Sequence, residues 1–341
     1  MGSEVAPLAV ETHDYHTGGE PFRIVTAGIP PLEGRTVLER RLWAAANLDH
    51  VRRLLVDEPR GHADMYGAFV TEADDAGADL GVVFFHNEGY STACGHGTIA
   101  LVTWALETGL IGAAEPETAV TVDVPSGRLL CVARVRDGRV VSVRFRNVPA
   151  WILARGVVVE TSRGAIRCDV SYGGAFYGSV DVRALGLDVS RASLATLISL
   201  QRELRPALDA GLPVVHPDEP ELRGIYGIVF WQDEPSEPGV ALVQRNVAVF
   251  ADGEVDRSPC GSGTSARLAL LEADGRLARG EALRHRSIVD SVFEASAVGD
   301  GPLVGGRPSV VTEVEGSAYA TGRHRFVLDP TDPLGTGFLL R

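Results

Sequence analysis

One seven-residue pattern, C-G-x-G-T-x-A, occurs twice in this chain, once in each half. The first copy spans residues 94–100 and the second spans residues 260–266. Each copy runs into an apolar stretch that stops at a glycine, Gly109 or Gly275, and these glycines are as far apart in sequence as the two cysteines. Because two repeats are too few for a solenoid, the pattern predicts two domains of one fold that face each other pseudo-symmetrically.

The length of the chain agrees with this division. It has 341 residues, more than the roughly 250–300 at which a single core stops growing. We therefore predict one domain at residues 1–160 and a second at 161–341, with a C-terminal tail that packs back on the first. A weaker repeat relates residues 16–22 (HTGGEPF) to residues 172–177 (YGGAFY). Its spacing differs, so insertions must intervene.

Local patterns predict an α+β fold rich in strands. Short β-branched runs stand between turn residues, for example at 80–86 (LGVVFFH) and 119–127 (AVTVDVPSG). The helical spacing of apolar residues predicts helices at 36–55 and 191–204, and Pro206 is expected to end the second. Few helices among many strands indicate mostly antiparallel pairing.

Composition and charge exclude several partners. The formal net charge is −13 and no Lys/Arg run occurs, so neither nucleic acid nor an anionic membrane is expected to bind. No run of 18 apolar residues exists, and residues 1–10 lack the features of a signal peptide. The cysteines form no C-x-x-C pair, and in the cytoplasmic protein that we expect their thiols are reduced. Cys131 and Cys168 are expected in the core.

Each repeat predicts a cysteine at the start of a helix. Ser91, Thr92, Ser258 and Pro259 stand where N-cap and first-turn residues belong. The first N–H groups of a helix have no partners within it, and the helix dipole adds about half a positive charge there. We therefore expect a thiol pKa below the usual value of about 8.5, and room beside the glycines for a small anion.

Two such thiols, Cys94 and Cys260, predict a two-sided acid/base pair. If a carboxylate lies between the two helix N-termini, one thiol faces each side of its Cα. Removal of a proton on one face and return of a proton on the other inverts the centre, while N–H donors stabilise the charge that spreads into the carboxylate. This chemistry needs no metal, pyridoxal phosphate or nucleotide, so no cofactor is expected.

A metal site and a nucleotide site are weaker interpretations of the same residues. The histidines near residues 13–16 and 94–96 suggest a metal, but the chain contains neither H-E-x-x-H nor paired C-x-x-C. The glycine-rich turns lack the lysine of a phosphate loop, and their surroundings do not alternate strand and helix as a dinucleotide fold does. His13 and His16 are expected to order a turn, and His62 and His86 to bond locally.

The chain resembles the proline racemase family, which includes 4-hydroxyproline epimerases and trans-3-hydroxy-L-proline dehydratases. The resemblance covers the chain nearly end to end, and the Asp-Arg-Ser-Pro-Cys segment is highly specific. The segments that carry it are residues 16–21 (HTGGEP), 58–62 (EPRGH), 64–68 (DMYGA), 86–91 (HNEGYS), 172–177 (YGGAFY), 256–260 (DRSPC), 332–334 (DPL) and 338–340 (FLL).

This resemblance implies the diaminopimelate-epimerase-like fold: two pseudo-symmetric domains, each a strand-rich barrel around a central helix, with the active site in the cleft between them. It implies Cys94 and Cys260 as base and acid, and a small-molecule substrate, proline or a hydroxyproline. A homodimer is also expected from it.

The resemblance also assigns binding roles. The backbone of the two turns is expected to bind the substrate carboxylate, Asp256 the amine, and two aromatic side chains the ring. The turn residues are Gly95, His96, Gly261 and Ser262, and the aromatic residues are Tyr66 and Phe250. Asp256 could instead pair with Arg257 on the surface, and the two aromatic residues could be plain core.

Two reactions remain open on the sequence. Inversion at Cα, of the 4-hydroxyproline 2-epimerase type, is favoured because it needs a proton group on both faces. The residues around Cys94 and in the tail are similar to the dehydratase branch, which commonly keeps only one of the two cysteines. Dehydration of trans-3-hydroxy-L-proline, or both activities in one enzyme, is the alternative. A small-molecule binding protein is a third hypothesis, but a binder needs no thiols on two faces.

Overall fold

The computed structural model describes residues 8–340, and that part of the chain contains eighteen strands and five α-helices. The strands are β1 (Ala9–Thr17), β2 (Glu20–Ala27), β3 (Tyr66–Thr71), β4 (Leu80–His86), β5 (Gly89–Tyr90), β6 (Glu117–Val124), β7 (Gly127–Arg136), β8 (Arg139–Arg146), β9 (Ala150–Thr161), β10 (Gly164–Tyr172), β11 (Phe176–Asp181), β12 (Ile225–Asp233), β13 (Leu242–Phe250), β14 (Glu254–Val255), β15 (Leu283–Arg286), β16 (Val292–Asp300), β17 (Ser309–Gly316) and β18 (Ala318–Val327). The helices are α1 (Val37–Asn47), α2 (Asp49–Val56), α3 (Gly95–Glu107), α4 (Leu194–Gly211) and α5 (Gly261–Ala273), with a 3₁₀ helix at Val182–Leu185.

The strands form two barrels with the same order of pairings. In the first, β18–β1–β2–β3–β4–β6–β7–β8 follow one another, with parallel pairs only at β2–β3 and β4–β6. In the second, β9–β10–β11–β12–β13–β15–β16–β17 repeat that order, with parallel pairs at β11–β12 and β13–β15. Strand β17 also pairs with β9, which closes the second ring, and with β8, which joins the two.

One helix fills the centre of each barrel. Helix α3 is buried at every residue from Gly95 to Leu106, and α5 is buried from Gly261 to Leu271. A helix that is buried on all sides needs a surrounding hydrophobic core. The strands supply this core because their side chains alternate between the two faces of the sheet. On β7, for example, every second residue from Leu129 to Val135 is buried. The predicted fold, two pseudo-symmetric strand-rich barrels around central helices, is confirmed.

The predicted helices differ in detail from those observed. The helix expected at 36–55 begins after Thr36, whose side chain caps it by accepting from the Glu39 N–H, and it is interrupted at Leu48 before α2. The prediction that Pro206 ends the other helix is wrong, since α4 continues through it to Gly211. The face of α4 that packs inward, including Leu204 and Leu208, continues past the proline, and this packing outweighs the lost hydrogen bond.

The C-terminal segment lies against the first barrel. Strand β18 pairs with β1, and farther on Glu58 and Phe338 exchange backbone hydrogen bonds of 3.0 Å. The domain limits 1–160 and 161–341 stay a prediction. Within residues 8–340 no helix is long and apolar enough to cross a membrane. The prediction that residues 1–10 are not a signal peptide concerns mostly residues 1–7, which lie outside the described residues.

Candidate active site

The central helices meet end to end at two glycines. A Cβ atom on Gly95 would lie 2.5 Å from the Cα of Gly261, and one on Gly261 would lie 2.7 Å from the Cα of Gly95. Both distances are below any normal contact, so the approach requires glycine on both sides. The free N–H groups and positive dipole ends of α3 and α5 therefore converge on one point, which favours an anion there.

The N-cap residue of each central helix is the cysteine itself, whereas the sequence suggested the serine, threonine or proline residues just before it as caps or first-turn residues. Cys94 is extended (φ −152°), and its Sγ accepts a hydrogen bond of 3.2 Å from the Gly97 N–H. Cys260 has φ +61°, a left-handed conformation that costs a non-glycine residue about 1–2 kcal/mol. The Ser258 hydroxyl accepts from the Cys260 N–H at 3.1 Å. This helps to hold Cys260 in a conformation that it would not adopt alone.

The second glycine of each motif makes space for the thiol. A Cβ atom on Gly97 would lie 2.7 Å from the Sγ of Cys94, and one on Gly263 would lie 2.9 Å from the Sγ of Cys260. The motif C-G-x-G-T-x-A therefore has a physical reason at both glycines: the first allows the helix ends to meet, and the second leaves room for sulfur.

The two thiols have different neighbours. Cys94 Sγ lies 3.5 Å from both ring nitrogens of His96. Cys260 Sγ lies 3.6 Å from the Tyr177 hydroxyl and 4.0 Å from Ser262 Oγ. Tyr177 and Ser262 are themselves joined by a hydrogen bond of 2.7 Å. The pseudo-symmetric halves therefore surround their thiols with an imidazole on one side and two hydroxyl groups on the other.

Burial, rather than the helix dipole, dominates the acidity of both thiols. The Cys94 and Cys260 side chains are nearly enclosed, and burial raises the pKa of each thiol well above its usual range; the nearby charge of Asp256 raises both further. The Gly97 N–H partly opposes this at Cys94. The expected lowering of the thiol pKa is therefore wrong for the structure as it stands, because the cost of burying a thiolate exceeds what the helix N-terminus returns.

Asp256 lies in the site and not on the surface. It is 4% exposed, its Oδ1 accepts from the Ser258 N–H at 2.8 Å, and its Oδ2 lies 3.9 Å from His96 Nδ1. Burial raises its pKa to about 6. Burial lowers the pKa of His96 to about 3, so that ring is neutral. At neutral pH Asp256 is therefore a buried carboxylate beside both thiols.

Arg257 does not pair with Asp256. Its Nη2 lies 3.1 Å from Asp64, and its N–H donates to Glu20 at 2.7 Å. Glu20 is fully buried, and burial together with the charge of Asp256 raises its pKa well above the usual range. Sequence reasoning assigned Glu20 no role, although it lies in the HTGGEP segment; it ties the loop before Cys260 to the first barrel.

The aromatic side chains expected near the ring come together. The ring centroids of Tyr66 and Phe250 are 5.9 Å apart, although one belongs to each barrel. The ring centroids of Tyr66 and His96 are 4.9 Å apart, and the two rings are nearly perpendicular. Tyr226, which the sequence did not single out, stacks on Phe250 at 5.2 Å and shares a 2.9 Å hydrogen bond with Tyr66. These contacts bridge the barrels beside the two thiols.

The other histidines follow their expected roles only in part. His16 Nδ1 accepts from the Gly19 N–H at 3.2 Å and so orders a turn, and His62 bonds to the adjacent carbonyl. His13 accepts instead from Trp104 Nε1 at 2.9 Å. His86 Nδ1 accepts locally from the Glu88 N–H at 3.3 Å, as expected, and it also lies 3.0 Å from Glu254 of the other barrel. No group of three or more His, Cys, Asp or Glu side chains within the described residues could hold a metal.

The chain matches the proline racemase family over residues 12–339. It is 47% identical to a trans-3-hydroxy-L-proline dehydratase of Burkholderia ambifaria and 46% identical to a 3-hydroxyproline 2-epimerase of Burkholderia multivorans, each alignment covering 98% of both chains. It is also similar to a crystal structure of a hydroxyproline epimerase from Agrobacterium vitis with bound trans-4-hydroxy-L-proline, with a TM-score of 0.90, 33% identity, and coverage of 100% of this chain and 97% of that one. The protein is therefore an enzyme that belongs to the proline racemase family.

Proposed function

We propose that this enzyme inverts the Cα of a hydroxyproline, with one of Cys94 and Cys260 removing the Cα proton on one face and the other delivering a proton to the opposite face. The single observation that supports this most is the meeting of the helix N-termini at Gly95 and Gly261, each capped by a thiol. A carboxylate bound at that junction accepts from N–H groups of both helices. Its Cα then lies between the two sulfurs, which suits proton removal on one face and delivery on the other.

Charge in the site supports the proton steps. A substrate amine beside Asp256 brings a positive charge to a place where burial and a carboxylate hold the thiol pKa values high. That positive charge favours the thiolate. One thiolate removes the Cα proton, the N–H groups stabilise the carbanion as charge spreads into the carboxylate, and the opposite thiol returns a proton. Sulfur ends protonated on one side and ionised on the other, ready for the reverse direction.

A hydroxylated proline is supported as the substrate class by the relatives. Those at 46–47% identity carry names that refer to 3-hydroxyproline, whereas the neighbour with bound trans-4-hydroxy-L-proline is 33% identical. We therefore favour 3-hydroxyproline, and the 4-hydroxyproline 2-epimerase assignment stays a prediction. The cytoplasmic location and the homodimer likewise stay predictions.

Dehydration of trans-3-hydroxy-L-proline is the second candidate, and the relative at 47% identity favours it. In that compound the hydroxyl and the Cα hydrogen lie on the same face of the ring. One thiolate on that face can remove the proton as the hydroxyl departs, so the second thiol is not required. Two thiols do not prevent this reaction, and one enzyme could carry out both.

The test is a proton NMR time course in D2O with L-proline, trans-4-hydroxy-L-proline and trans-3-hydroxy-L-proline in turn. Loss of the Cα signal with formation of the inverted isomer supports the epimerase and identifies its substrate. Conversion of the 3-hydroxy compound to a pyrroline carboxylate without inversion favours the dehydratase. No loss of the Cα signal from any of the three contradicts the proposal.

A further inference from the structure

A buried histidine–glutamate pair joins the two barrels beside the candidate site. His86 ends β4 in the first barrel, and Glu254 belongs to β14 in the second. Nδ1 of His86 lies 3.0 Å from Oε2 and 3.2 Å from Oε1 of Glu254. The Glu88 N–H donates to the same carboxylate at 3.0 Å. Both paired side chains are more than nine-tenths buried.

This contact fixes the orientation of the imidazole. The Glu88 N–H also reaches Nδ1 at 3.3 Å, and a carboxylate contact of this kind orients a histidine ring. The second nitrogen, Nε2, has no hydrogen-bond partner among residues 8–340, although the side chain of His86 is only 5% exposed. Nε2 is not fully enclosed, so a ligand can supply a partner.

The surroundings of His86 indicate which part of a ligand it meets. Its ring centroid lies 5.4 Å from both Tyr66 and Phe250, and 5.9 Å from Tyr226. In the proposed binding mode, with the carboxylate at the helix N-termini and the amine at Asp256, the ring carbons of a hydroxyproline would face these aromatic groups.

The tyrosine hydroxyl groups near His86 already have partners; together with Phe250 these rings form an aromatic cluster of Tyr66, Tyr177, Tyr226, Phe250 and His86. The Tyr66 hydroxyl bonds to Ser91 and to the Tyr226 hydroxyl, and the Tyr177 hydroxyl bonds to Ser262. A hydroxyl group on the substrate ring therefore finds one unpartnered group in the cluster, Nε2 of His86.

We infer that His86 binds the ring hydroxyl of a 3-hydroxyproline and, in its imidazolium form, donates the proton with which that hydroxyl leaves as water. This inference rests on the proposed function. A thiolate removes the Cα proton, and the C–H electron pair forms the Cα–Cβ double bond. The C3–O bond breaks, and its oxygen takes the Nε2 proton. The enamine product then tautomerises to a pyrroline carboxylate, and transfer of one proton from the thiol back to His86 restores both groups.

The experiment compares wild type with His86→Gln on trans-3-hydroxy-L-proline in D2O. Loss of the Cα proton and formation of the pyrroline carboxylate are followed separately. We expect elimination to fall by about 10²–10⁴-fold, the usual contribution of a general acid, while exchange of the Cα proton stays within about threefold. His324→Gln, a change of an exposed histidine on β18, should alter neither rate.

Glu254→Gln provides a second variant in which the imidazole remains. Without the carboxylate the imidazole loses the contact that orients it, so we expect elimination to fall while exchange of the Cα proton is retained. Three results overturn the inference: elimination that persists in both variants, parallel loss of exchange and elimination in both, or a wild-type enzyme that exchanges the Cα proton but never eliminates. If wild type does not exchange the Cα proton at all, the proposed function itself fails.

Discussion

Gly95 and Gly261 pack against each other where the central helices of the two barrels meet, so closely that a Cβ atom on either would lie within 2.7 Å of the other's Cα. Few arrangements bring two helix N-termini to a single point. Here the contact joins two halves of one chain, and it places Cys94 and Cys260 at the same junction.

Replacement of Gly95 by alanine should separate the two helix ends. The added methyl group would lie 2.5 Å from backbone and 3.0 Å from the ring of Phe145, so the helices must shift. We expect a loss of stability of about 1–3 kcal/mol and a loss of activity on the order of 100-fold, because small displacements of reacting groups are costly. Denaturant unfolding and steady-state kinetics measure the two effects.

Gly112→Ala is the control for this change, since a Cβ atom there meets nothing within 4 Å. It should leave activity and stability close to wild type. If Gly95→Ala is equally harmless, the close approach of the helix ends is not needed for the reaction.

Replacement of either Cys94 or Cys260 by serine should abolish inversion, because one face of Cα then lacks a suitable acid or base. The expected loss is about 10²–10⁴-fold for each variant. Cys131→Ala serves as the control, since Cys131 is buried in the hydrophobic core and has no part in the proposed reaction. Product analysis by chiral chromatography makes the comparison, and full inversion by either serine variant would rule out the two-thiol mechanism.

The repeat alone predicted two pseudo-symmetric domains with a thiol at the start of a helix in each, and the family resemblance added that each domain is a barrel around that helix. The contacts around the thiols could not be read in the same way. His86 and Glu254 are 168 residues apart and meet only because the barrels face each other. Helix α4 passes through Pro206 because of its packing on the second barrel, which local sequence does not reveal. The pKa values of the two thiols likewise depend on the complete fold, because burial opposes the effect of the helix dipole there.

Removal of the Tyr177 hydroxyl should affect Cys260 more than the fold. The hydroxyl lies 3.6 Å from the Cys260 sulfur, and its hydrogen bond favours the thiolate. In Tyr177→Phe we expect the thiol pKa to rise further, with activity lowered about tenfold at neutral pH and partly recovered at higher pH. Tyr172→Phe is the matched control, because the Tyr172 hydroxyl is buried without a hydrogen-bond partner in the described structure. Equal pH profiles for the two variants would contradict a role for Tyr177.

The pH dependence of the wild-type enzyme should reveal Asp256. Burial raises the pKa of this carboxyl to about 6, so it is charged at neutral pH and becomes neutral as the pH falls through that value. If the carboxylate holds the substrate amine, kcat/KM must decrease below about pH 6, and it must do so without loss of secondary structure.

In Asp256→Asn this group no longer titrates, so we expect a low kcat/KM without that acidic decrease. Measurement of kcat/KM for both proteins, with circular dichroism at each pH, separates the two cases. A variant that keeps the same acidic decrease would assign it to another group, and the buried Glu20, whose pKa is also raised, would be the next residue to replace.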